Sequence, residues 1–372
     1  MAADGNLLVV GPSWVGDMIM AQSLFMALKA QHPEASIDVL APEWSLPILQ
    51  RMPQVRQGWV LPLKHGEVGF AKRWHLGRQL AKQGYAQAIV LPGSLKSALV
   101  PWFAGIPKRT GFVGEMRYGL LNDWRRLDKK ALPMTVQRFV ALAGAQPLAG
   151  PLPESLRPKL KADAANAAHL LKKLGLTTDK PVVAFMPGAE YGPAKQWPAA
   201  HFAQLAKDLC ASGAQVWILG SAKDRAVGEA IVANETSVST APVMNLCGLT
   251  ELGDCVDLLS LCSAAVSNDS GLMHVAAALD LPMVALYGSS NPEHTPPLSA
   301  NAKVFYLGLP CSPCFERQCP LGHTHCLVHI QPQSVFERLM PLLIGGHGKT
   351  IGQTLETRAL KNGKSGVEKD GS

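Results

Sequence analysis

Residues 261–288, LCSAAVSNDSGLMHVAAALDLPMVALYG, decide the fold because they contain a strand, a helix and a second strand in direct succession. The apolar segments 264–266 and 283–287 predict two short buried strands. Between them, the polar turn at 268–271 leads at once into a helix. Such a strand–helix–strand unit is typical of a parallel α/β sheet.

The start of that helix is a candidate anion site. A helix that begins directly after a strand points free backbone N–H groups at one spot, and such spots attract phosphate. Gly271 lets a ligand approach the backbone closely, and His274 lies one turn further on, on the side facing the opening. The alternative is an ordinary helix capped by Asp269 or Ser270, and the turn alone does not separate the two interpretations.

The composition excludes several classes of protein. A chain of 372 residues exceeds one usual core and predicts two domains, and 47% hydrophobic with 17% charged residues indicates a folded, soluble protein. No apolar run reaches the roughly 18 residues of a membrane helix. The first apolar run has no basic segment ahead of it and is interpreted as a strand, so we expect a cytoplasmic protein.

The net charge of +7 is unevenly distributed, since residues 1–160 hold 19 Lys and Arg against 10 Asp and Glu. A basic first half indicates an anionic partner, such as nucleic acid, an anionic membrane face or a phosphorylated glycolipid; surplus lysines that keep the chain soluble are the alternative. Nucleic-acid-binding motifs are absent: there is no zinc-finger spacing with paired histidines, no aromatic RNP-like strand and no basic heptad helix. We therefore expect no nucleic-acid partner.

Strand-like and helix-like segments alternate along the chain and predict two doubly wound, Rossmann-like domains that face each other across a cleft. The Pro/Gly-rich passage 146–158 separates domain 1–160 from domain 161–344, and the polar, aperiodic residues 345–372 predict a disordered tail. The predicted strands are 7–10, 37–40, 59–61 and 88–91 in the first domain, and 182–185, 216–219, 243–246, 264–266 and 283–287 in the second.

Loops that follow four of these strands carry candidate site residues. After the first strand, GPSWVGD at 11–17 matches neither the dinucleotide fingerprint nor a Walker loop. Its Asp17 stands at the start of a helix, where it either faces the cleft or caps the helix. In PGAEYGPAKQWP at 187–198, Lys195 could neutralise a diphosphate or simply be solvated. Asp224 could bind ribose hydroxyls or cap a helix, and Thr250 could line an adenine pocket. Loops that converge on one sheet edge predict a nucleotide site in the second domain.

These motifs resemble glycosyltransferase family 9, the ADP-heptose:lipopolysaccharide heptosyltransferases with the two-domain GT-B fold, over roughly residues 6–340. The matching stretches are GPSWVGD at 11–17, PGAE at 187–190 with KQWP at 195–198, and NDSGLMH at 268–274. A further pair of stretches, KSAL at 96–99 with AGIP at 104–107, and one single stretch, GEMRYGLLND at 114–123, resemble the heptosyltransferase II branch.

The resemblance implies an inverting transfer of L-glycero-D-manno-heptose from a β-linked ADP donor to the first heptose of the lipopolysaccharide inner core, giving an α1→3 linkage. Asp17 falls on the family's general base, and Lys195 on the lysine that steadies the leaving ADP. The positions implied to bind the donor are Asp224, Thr250, Asp269, Ser270, Gly271 and His274, together with Glu190 and Tyr191, where heptosyltransferase I carries hydroxyl residues instead.

The implied acceptor is a lipid-anchored lipopolysaccharide core, which predicts peripheral contact with the cytoplasmic face of the inner membrane. No cofactor is needed for this chemistry, and the sequence leaves a Mg²⁺ requirement open. Candidate acceptor-side cations, chosen on charge and position, are Lys64, Lys96, Lys108, Arg109 and Arg117.

Other functions remain open at this point. A second family 9 core glycosyltransferase, such as a heptosyltransferase I, fits most of the same motifs. A nicotinamide-dependent oxidoreductase shares the alternation of strands and helices but needs the missing dinucleotide fingerprint. A non-catalytic protein that binds metal or nucleic acid leaves Asp17 and Lys195 without a purpose.

Four of the eight cysteines lie within sixteen residues, with histidines between them. In a reducing compartment such density predicts metal before disulfide. Four thiolates can close a tetrahedral zinc site, an iron–sulfur cluster is conceivable, and reduced cysteines in a loop are the alternative. The role of a metal here is structural, and the residues are Cys311, Cys314, Cys319 and Cys326.

Overall fold

The computed structural model describes residues 5–63, 67–144, 150–234 and 242–347, and twelve strands lie within them. The strands of the first half are β1 (Asn6–Val10), β2 (Ile37–Ala41), β3 (Val55–Val60), β4 (Tyr85–Val90), β5 (Lys108–Phe112) and β6 (Asp123–Arg125). Those of the second half are β7 (Val182–Met186), β8 (Gln215–Ile218), β9 (Val243–Asn245), β10 (Ala264–Asn268), β11 (Met283–Tyr287) and β12 (Ala302–Tyr306).

Helices connect nearly all of these strands. In the first half they are α1 (Val15–Gln31), α2 (Leu46–Leu49), α3 (Phe70–Leu80), α4 (Leu99–Phe103) and α5 (Thr135–Ala141). In the second half they are α6 (Ala164–Leu174), α7 (Ala199–Ala211), α8 (Arg225–Asn234), α9 (Leu252–Leu259), α10 (Gly271–Ala278), α11 (His325–Val328) and α12 (Pro332–His347).

The strands form two six-stranded parallel sheets, in the orders β3-β2-β1-β4-β5-β6 and β12-β11-β10-β7-β8-β9. The central strands β1 and β10 are buried over nearly their whole length, as expected where helices cover both faces of a parallel sheet. The strand order reverses between β1 and β4 in one sheet and between β7 and β10 in the other. Ligands of such sheets bind beyond the carboxyl ends of the strands at these reversal points, so the loops after β1, β4, β7 and β10 define the site.

Helix α1 lies between the two domains. Its residues from Met18 to Phe25 are all buried, including Gln22 and Ser23, because the helix packs on α5 of its own domain and on α10 of the other. The single apolar face expected for a surface helix is therefore replaced by burial on every side. This contact joins the two domains at the carboxyl edges of both sheets.

The connecting segment between the domains is held by backbone hydrogen bonds to both of them. Leu160 N–H donates to the carbonyl of Ala278, and Lys161 N–H donates to that of Arg51. The Arg51 side chain also reaches α9, where Nη2 lies 2.5 Å from Oδ2 of the fully buried Asp257. The predicted boundary at 160 and 161 falls inside this connecting segment.

The structure corrects several boundaries of the sequence prediction. The short strands β5, β6 and β12 were not predicted, and β3 begins four residues earlier than the predicted strand at 59–61. Helix α12 continues to His347, so the first three residues of the predicted tail are helical, and residues 348–372 lie outside the described ranges. Among the described residues, no helix has both the length and the apolar character needed to cross a bilayer.

Candidate active site

Lys195 and Asp269 form an ion pair at the reversal point of the second sheet. Lys195 ends a short 3-10 turn in the loop after β7, and Asp269 directly follows β10. Lysine Nζ lies 2.5 Å from Asp269 Oδ2, and the two side chains are only 19% and 6% exposed. A cation is thereby fixed at the place where a doubly wound sheet binds its ligand.

Two residues that were not predicted as site residues hold this pair in position. The Asn268 side chain accepts the backbone N–H of Trp197 at 3.0 Å and donates to the carbonyl of Pro187 at 2.6 Å, so it ties both ends of the Lys195 loop (residues 187–198) to β10. Ser290 Oγ donates to Asp269 Oδ2 at 2.5 Å. Asn268 stands inside the predicted turn, whereas no sequence signal marks Ser290.

Asp17 of the first domain lies in the electrostatic field of this pair. Burial of its carboxyl group raises the pKa of Asp17 to about 6; the positive charge of Lys195 opposes the rise and the negative charge of Asp269 adds to it. The structure therefore brings together the two residues predicted to be catalytic, one from each domain. A carboxyl group with a pKa near neutrality suits general-base chemistry.

The first turns of α1 and α10 touch at glycines. A β-carbon on Gly16 would lie 2.5 Å from the His274 ring, and one on Gly271 would lie 2.6 Å from the side chain of Val15. Both helix N-termini, with their positive dipole ends, thus meet where the two domains touch, and Asp269, the partner of Lys195, lies two residues before α10. The two dipoles favour an anion at this point.

His274 does not face the opening, contrary to the prediction from the sequence. It is buried against Gly16, and burial lowers the pKa of His274 to about 4, although Asp269 opposes that shift. The imidazole is therefore neutral at pH 7 and supplies no positive charge to a ligand. Its position assigns it to the contact between the domains.

Ser270 and Gly271 lie at the half-buried start of α10. Ser270 Oγ accepts the N–H of Met273 at 3.4 Å, so the helix cap that was the alternative interpretation is present. The cap satisfies one backbone donor, and a helix N-terminus has up to four that lack a partner within the helix. Capping and anion binding are therefore compatible at this turn.

Tyr191 and Glu190 occupy different positions in the Lys195 loop. The Tyr191 hydroxyl donates to the carbonyl of Phe315 at 2.6 Å, and its ring lies 5.2 Å from both Lys195 Nζ and Arg317 Cζ. This places Tyr191 beside the central cation. Glu190 is exposed and pairs with Lys223 at the rim.

Asp224 and Thr250 follow β8 and β9 and extend the edge away from Lys195. Asp224 Oδ2 accepts the N–H and the hydroxyl of Ser221, both at 2.8 Å, and therefore acts as a cap. A β-carbon on Gly188 would lie 2.4 Å from the Asp224 carboxylate, so this group touches the Lys195 loop. Thr250 Oγ1 lies 3.4 Å from Cys255 Sγ.

The structure separates the five predicted acceptor-side cations. Lys96 follows β4 at the carboxyl edge of the first sheet and is half-buried. Lys108 and Arg109 begin β5 at the opposite edge of the sheet, where Lys108 lies 3.6 Å from Asp123 and Arg109 donates to the carbonyls of Leu120 and Ile106. These two residues are therefore corrected to structural positions, and Lys64 lies outside the described residues.

Arg117 is also corrected. It is 1% exposed, and its guanidinium group donates to the carbonyls of Phe112, Pro92 and Ser94 and to the Ser97 hydroxyl. Because every direction of the planar group is used inside the protein, Arg117 fastens the loops after β4 and β5 and does not face a ligand.

All four clustered cysteines line one small cavity of about 20 Å³ behind the Lys195 loop, together with Ala194 and Ser289. The thiols are free, and hydrogen bonds from the amide of Thr324 and its neighbours lower the pKa of Cys319. Within the described ranges, no three His, Cys, Asp or Glu side chains stand close enough to hold a metal ion as they are placed. The cysteines concerned are Cys311, Cys314, Cys319 and Cys326.

Comparison with known proteins assigns the chain to a family. The sequence model of glycosyltransferase family 9 (heptosyltransferase) matches residues 73–325. The chain belongs to glycosyltransferase family 9. It is thus a glycosyltransferase with the two-domain GT-B fold that the sequence predicted. The alternative function, a nicotinamide-dependent oxidoreductase, is no longer supported.

Sequence identity to individual relatives distinguishes between the branches of the family. Lipopolysaccharide heptosyltransferase 2 of Escherichia coli K12 is 48% identical over 91% of this chain and 99% of that protein. The solved structure of E. coli ADP-heptose lps heptosyltransferase II, 46% identical, covers 91% of this chain and 99% of that chain with a TM-score of 0.82. Lipopolysaccharide heptosyltransferase 1 of Pseudomonas aeruginosa PAO1 is only 27% identical over 91% of this chain and 98% of that protein. The resemblance to the heptosyltransferase II branch is confirmed.

Proposed function

We propose that this glycosyltransferase moves L-glycero-D-manno-heptose from ADP-heptose to the first heptose of the lipopolysaccharide inner core, with inversion at the anomeric carbon. The observation that carries the proposal is the meeting of Asp17, from the first domain, with the Lys195–Asp269 pair of the second. An inverting displacement needs a base on one side of the reacting carbon and a stabilised leaving group on the other.

In this mechanism, the acceptor hydroxyl oxygen forms its bond to the anomeric carbon while the bond from that carbon to the diphosphate oxygen breaks. The Asp17 carboxylate takes the hydroxyl proton, and ADP leaves with the electron pair of the broken bond. Lys195 and the N-termini of α1 and α10 offset the negative charge that develops on the diphosphate. The proton and the charge therefore end on opposite sides of the transferred sugar.

The loops after β8 and β9 suit the nucleoside end of the donor. They continue the edge that begins at Lys195, and Asp224 and Thr250 are two of the polar side chains in them. Asp224 keeps its cap while its second carboxylate oxygen remains available to ribose hydroxyls. Tyr191 lies between the two regions and positions Lys195.

Peripheral contact with an anionic membrane is part of the same proposal. An aromatic patch (Phe70, Trp74, Trp102 and Phe103) lies on α3 and α4 of the first domain, with Phe103 5.0 Å from the Phe70 ring and 5.1 Å from the Trp102 ring. Except for Phe103, these side chains are exposed, and the exposed cations Lys72 and Arg78 lie on α3 beside them. Aromatic and basic residues together are typical of surfaces that dock on anionic lipid.

Sedimentation with vesicles tests the membrane contact. Wild type is expected to bind vesicles of phosphatidylethanolamine and phosphatidylglycerol, and binding is expected to fall with Trp74→Ser and Trp102→Ser together. Trp124→Ser is the matched control, because Trp124 is equally exposed on the edge strand β6. Equal binding by all three proteins contradicts the role of the aromatic patch in membrane binding and leaves the proposed transfer reaction untested by this result.

Mass spectrometry tests the transfer itself. The chain is incubated with ADP-heptose and a lipopolysaccharide core truncated after one heptose, and we expect the core to gain the mass of one heptose. A core that carries no heptose is the control acceptor and should remain unchanged. Transfer to the heptose-free core, or to neither acceptor, contradicts the proposal.

A further inference from the structure

We propose that Cys311, Cys314, Cys319 and Cys326 bind one soft metal ion, Zn²⁺ or iron, as a tetrathiolate site that braces the Lys195 loop from behind. The first support is their convergence: three residues of the irregular segment after β12 and one from α11 all line one cavity. Four thiolates in tetrahedral geometry are a complete ligand set for either ion.

The size of the cavity selects a single ion. Its volume of about 20 Å³ exceeds the roughly 10–15 Å³ needed for one atom-sized guest such as a water molecule. Its other lining side chains include Ser289, Pro320 and Leu321. A cubane cluster of four irons and four sulfides is much larger than this space, so the cavity as it stands favours a mononuclear site.

Groups around the cavity are arranged for sulfur anions. The backbone N–H of Thr324 donates to Cys319 Sγ at 3.4 Å, in the tight turn that follows Cys319-Pro320. Ser289 is 1% exposed, and its hydroxyl has no hydrogen-bond partner within the described structure. A thiolate accepts such donors, and thiolates are the form that binds metal. The orphaned Ser289 hydroxyl thus supplies a second, independent indication of a guest.

Residues 307–324 need a crosslink of this kind. They join β12 to α11 through eighteen residues without helix or strand, which is longer than the connections that usually stay ordered on their own. Phe315 and Thr324 in this segment also adopt positive φ angles of 59° and 47°, which non-glycine residues rarely do. As placed, the sulfurs are not within bonding distance of a common point, so the proposal requires the cysteine side chains of this irregular segment to rotate toward the ion.

The segment is attached to the active site on two sides. Phe315 N–H donates to the carbonyl of Ser289 at 2.7 Å, next to Ser290, which contacts Asp269. The carbonyl of Arg317 accepts the N–H of Ala194 at 3.1 Å, next to Lys195, and a β-carbon on Gly192 would lie 2.4 Å from that carbonyl. The metal therefore positions both members of the Lys195–Asp269 pair and takes no part in the reaction.

Elemental analysis tests the site on the full chain, purified once aerobically and once anaerobically. We expect zinc plus iron to total one equivalent per chain in wild type and to fall at least tenfold in Cys314→Ser and Cys319→Ser. Cys262→Ser is the matched control. Cys262 is buried just after α9 and outside the cavity, so this variant should keep the metal. Metal absent from both wild-type preparations, or retained by Cys319→Ser, overturns the proposal.

Alkylation keeps the test valid if a cysteine variant fails to fold. In wild type, the four cavity cysteines should react with iodoacetamide only after a chelator is added, as read by peptide mass spectrometry. Equal rates with and without chelator overturn the site. Loss of metal should also raise the KM for ADP-heptose more than it lowers kcat; this last expectation rests on the proposed function, whereas metal content and alkylation do not.

Discussion

Gly16 of α1 and His274 of α10 are in direct contact across the two domains, so closely that a β-carbon on Gly16 would lie 2.5 Å from the imidazole ring. This contact sets how near Asp17, one residue further along α1, comes to the Lys195–Asp269 pair. The glycine is therefore part of the geometry that assembles the two halves of the site.

Gly16→Ala should reduce turnover by at least about tenfold, equivalent to 1.4 kcal/mol, because the added methyl group separates α1 from α10. Alanine stabilises a helix by roughly 1 kcal/mol relative to glycine, so a loss of activity cannot come from the helix itself. Steady-state kinetics measures the turnover, and small-angle scattering measures the separation of the two domains. A double variant with His274→Ala should restore the compact form, and a loss of compactness that His274→Ala leaves unchanged contradicts this account.

The pH dependence of kcat/KM should follow the ionisation of Asp17. Burial raises its pKa to about 6, and only the carboxylate can accept the acceptor's proton. We therefore expect kcat/KM to rise about tenfold per pH unit below pH 6 and to level off above it. A profile without an acidic limb near pH 6 contradicts the assignment of the base.

Asp17→Asn should stabilise the protein at neutral pH. The pKa is raised from 3.8 when unfolded to about 6 when folded, so the wild-type fold loses stability as pH rises through this window and the variant does not. The difference in the free energy of unfolding should approach at most about 3 kcal/mol above pH 6 and vanish below pH 4. Urea unfolding at pH 4 and pH 7.5 measures it, and equal stabilities at pH 7.5 contradict the claim that burial disfavours the Asp17 carboxylate.

Arg51→Met should destabilise the joined domains by roughly 2–4 kcal/mol, because it leaves the fully buried Asp257 without its countercharge. Asp257 keeps hydrogen bonds from the N–H of Asp163 and from the Asn166 amide, which places the loss below that of an isolated buried charge. Lys72→Met is the control, since Lys72 forms an exposed pair with Glu67 and should cost less than about 1 kcal/mol. Chemical denaturation separates the two, and equal losses contradict the interdomain role.

The sequence contains enough to predict the central strands and the turn at 268–271, because β7 is a continuous apolar run and β1 and β10 each contain a shorter one. It does not reveal β5 and β12, whose polar residues at exposed or half-buried positions break the apolar pattern. Edge and near-edge strands are specified by their neighbours in the sheet, and a linear pattern does not contain that information.

The site was predictable where chemistry is carried by a motif and hidden where it depends on packing. Asp17 and Lys195, both marked by motifs, interact electrostatically across the two domains. The charge of Arg117 and its position in the sequence gave no sign that it is buried among carbonyls, and the glycine at position 16 gave no sign that His274 fills the space beside it. Arg117 donates to the carbonyls of Pro92 and Ser94, and Gly16 contacts His274, so both outcomes depend on contacts between segments more than 20 residues apart.

The central claim is that Asp17 and Lys195 serve opposite sides of one transfer. Asp17→Asn and Lys195→Met should therefore differ: the first should lose turnover by roughly a thousandfold or more while its ADP affinity stays within about threefold of wild type. The second should weaken ADP binding by more than about tenfold, because a charge-assisted contact to phosphate is removed. Calorimetric ADP titration beside the heptose-transfer assay measures both. Wild-type transfer by Asp17→Asn, or equal ADP affinities in the two variants, contradicts the account.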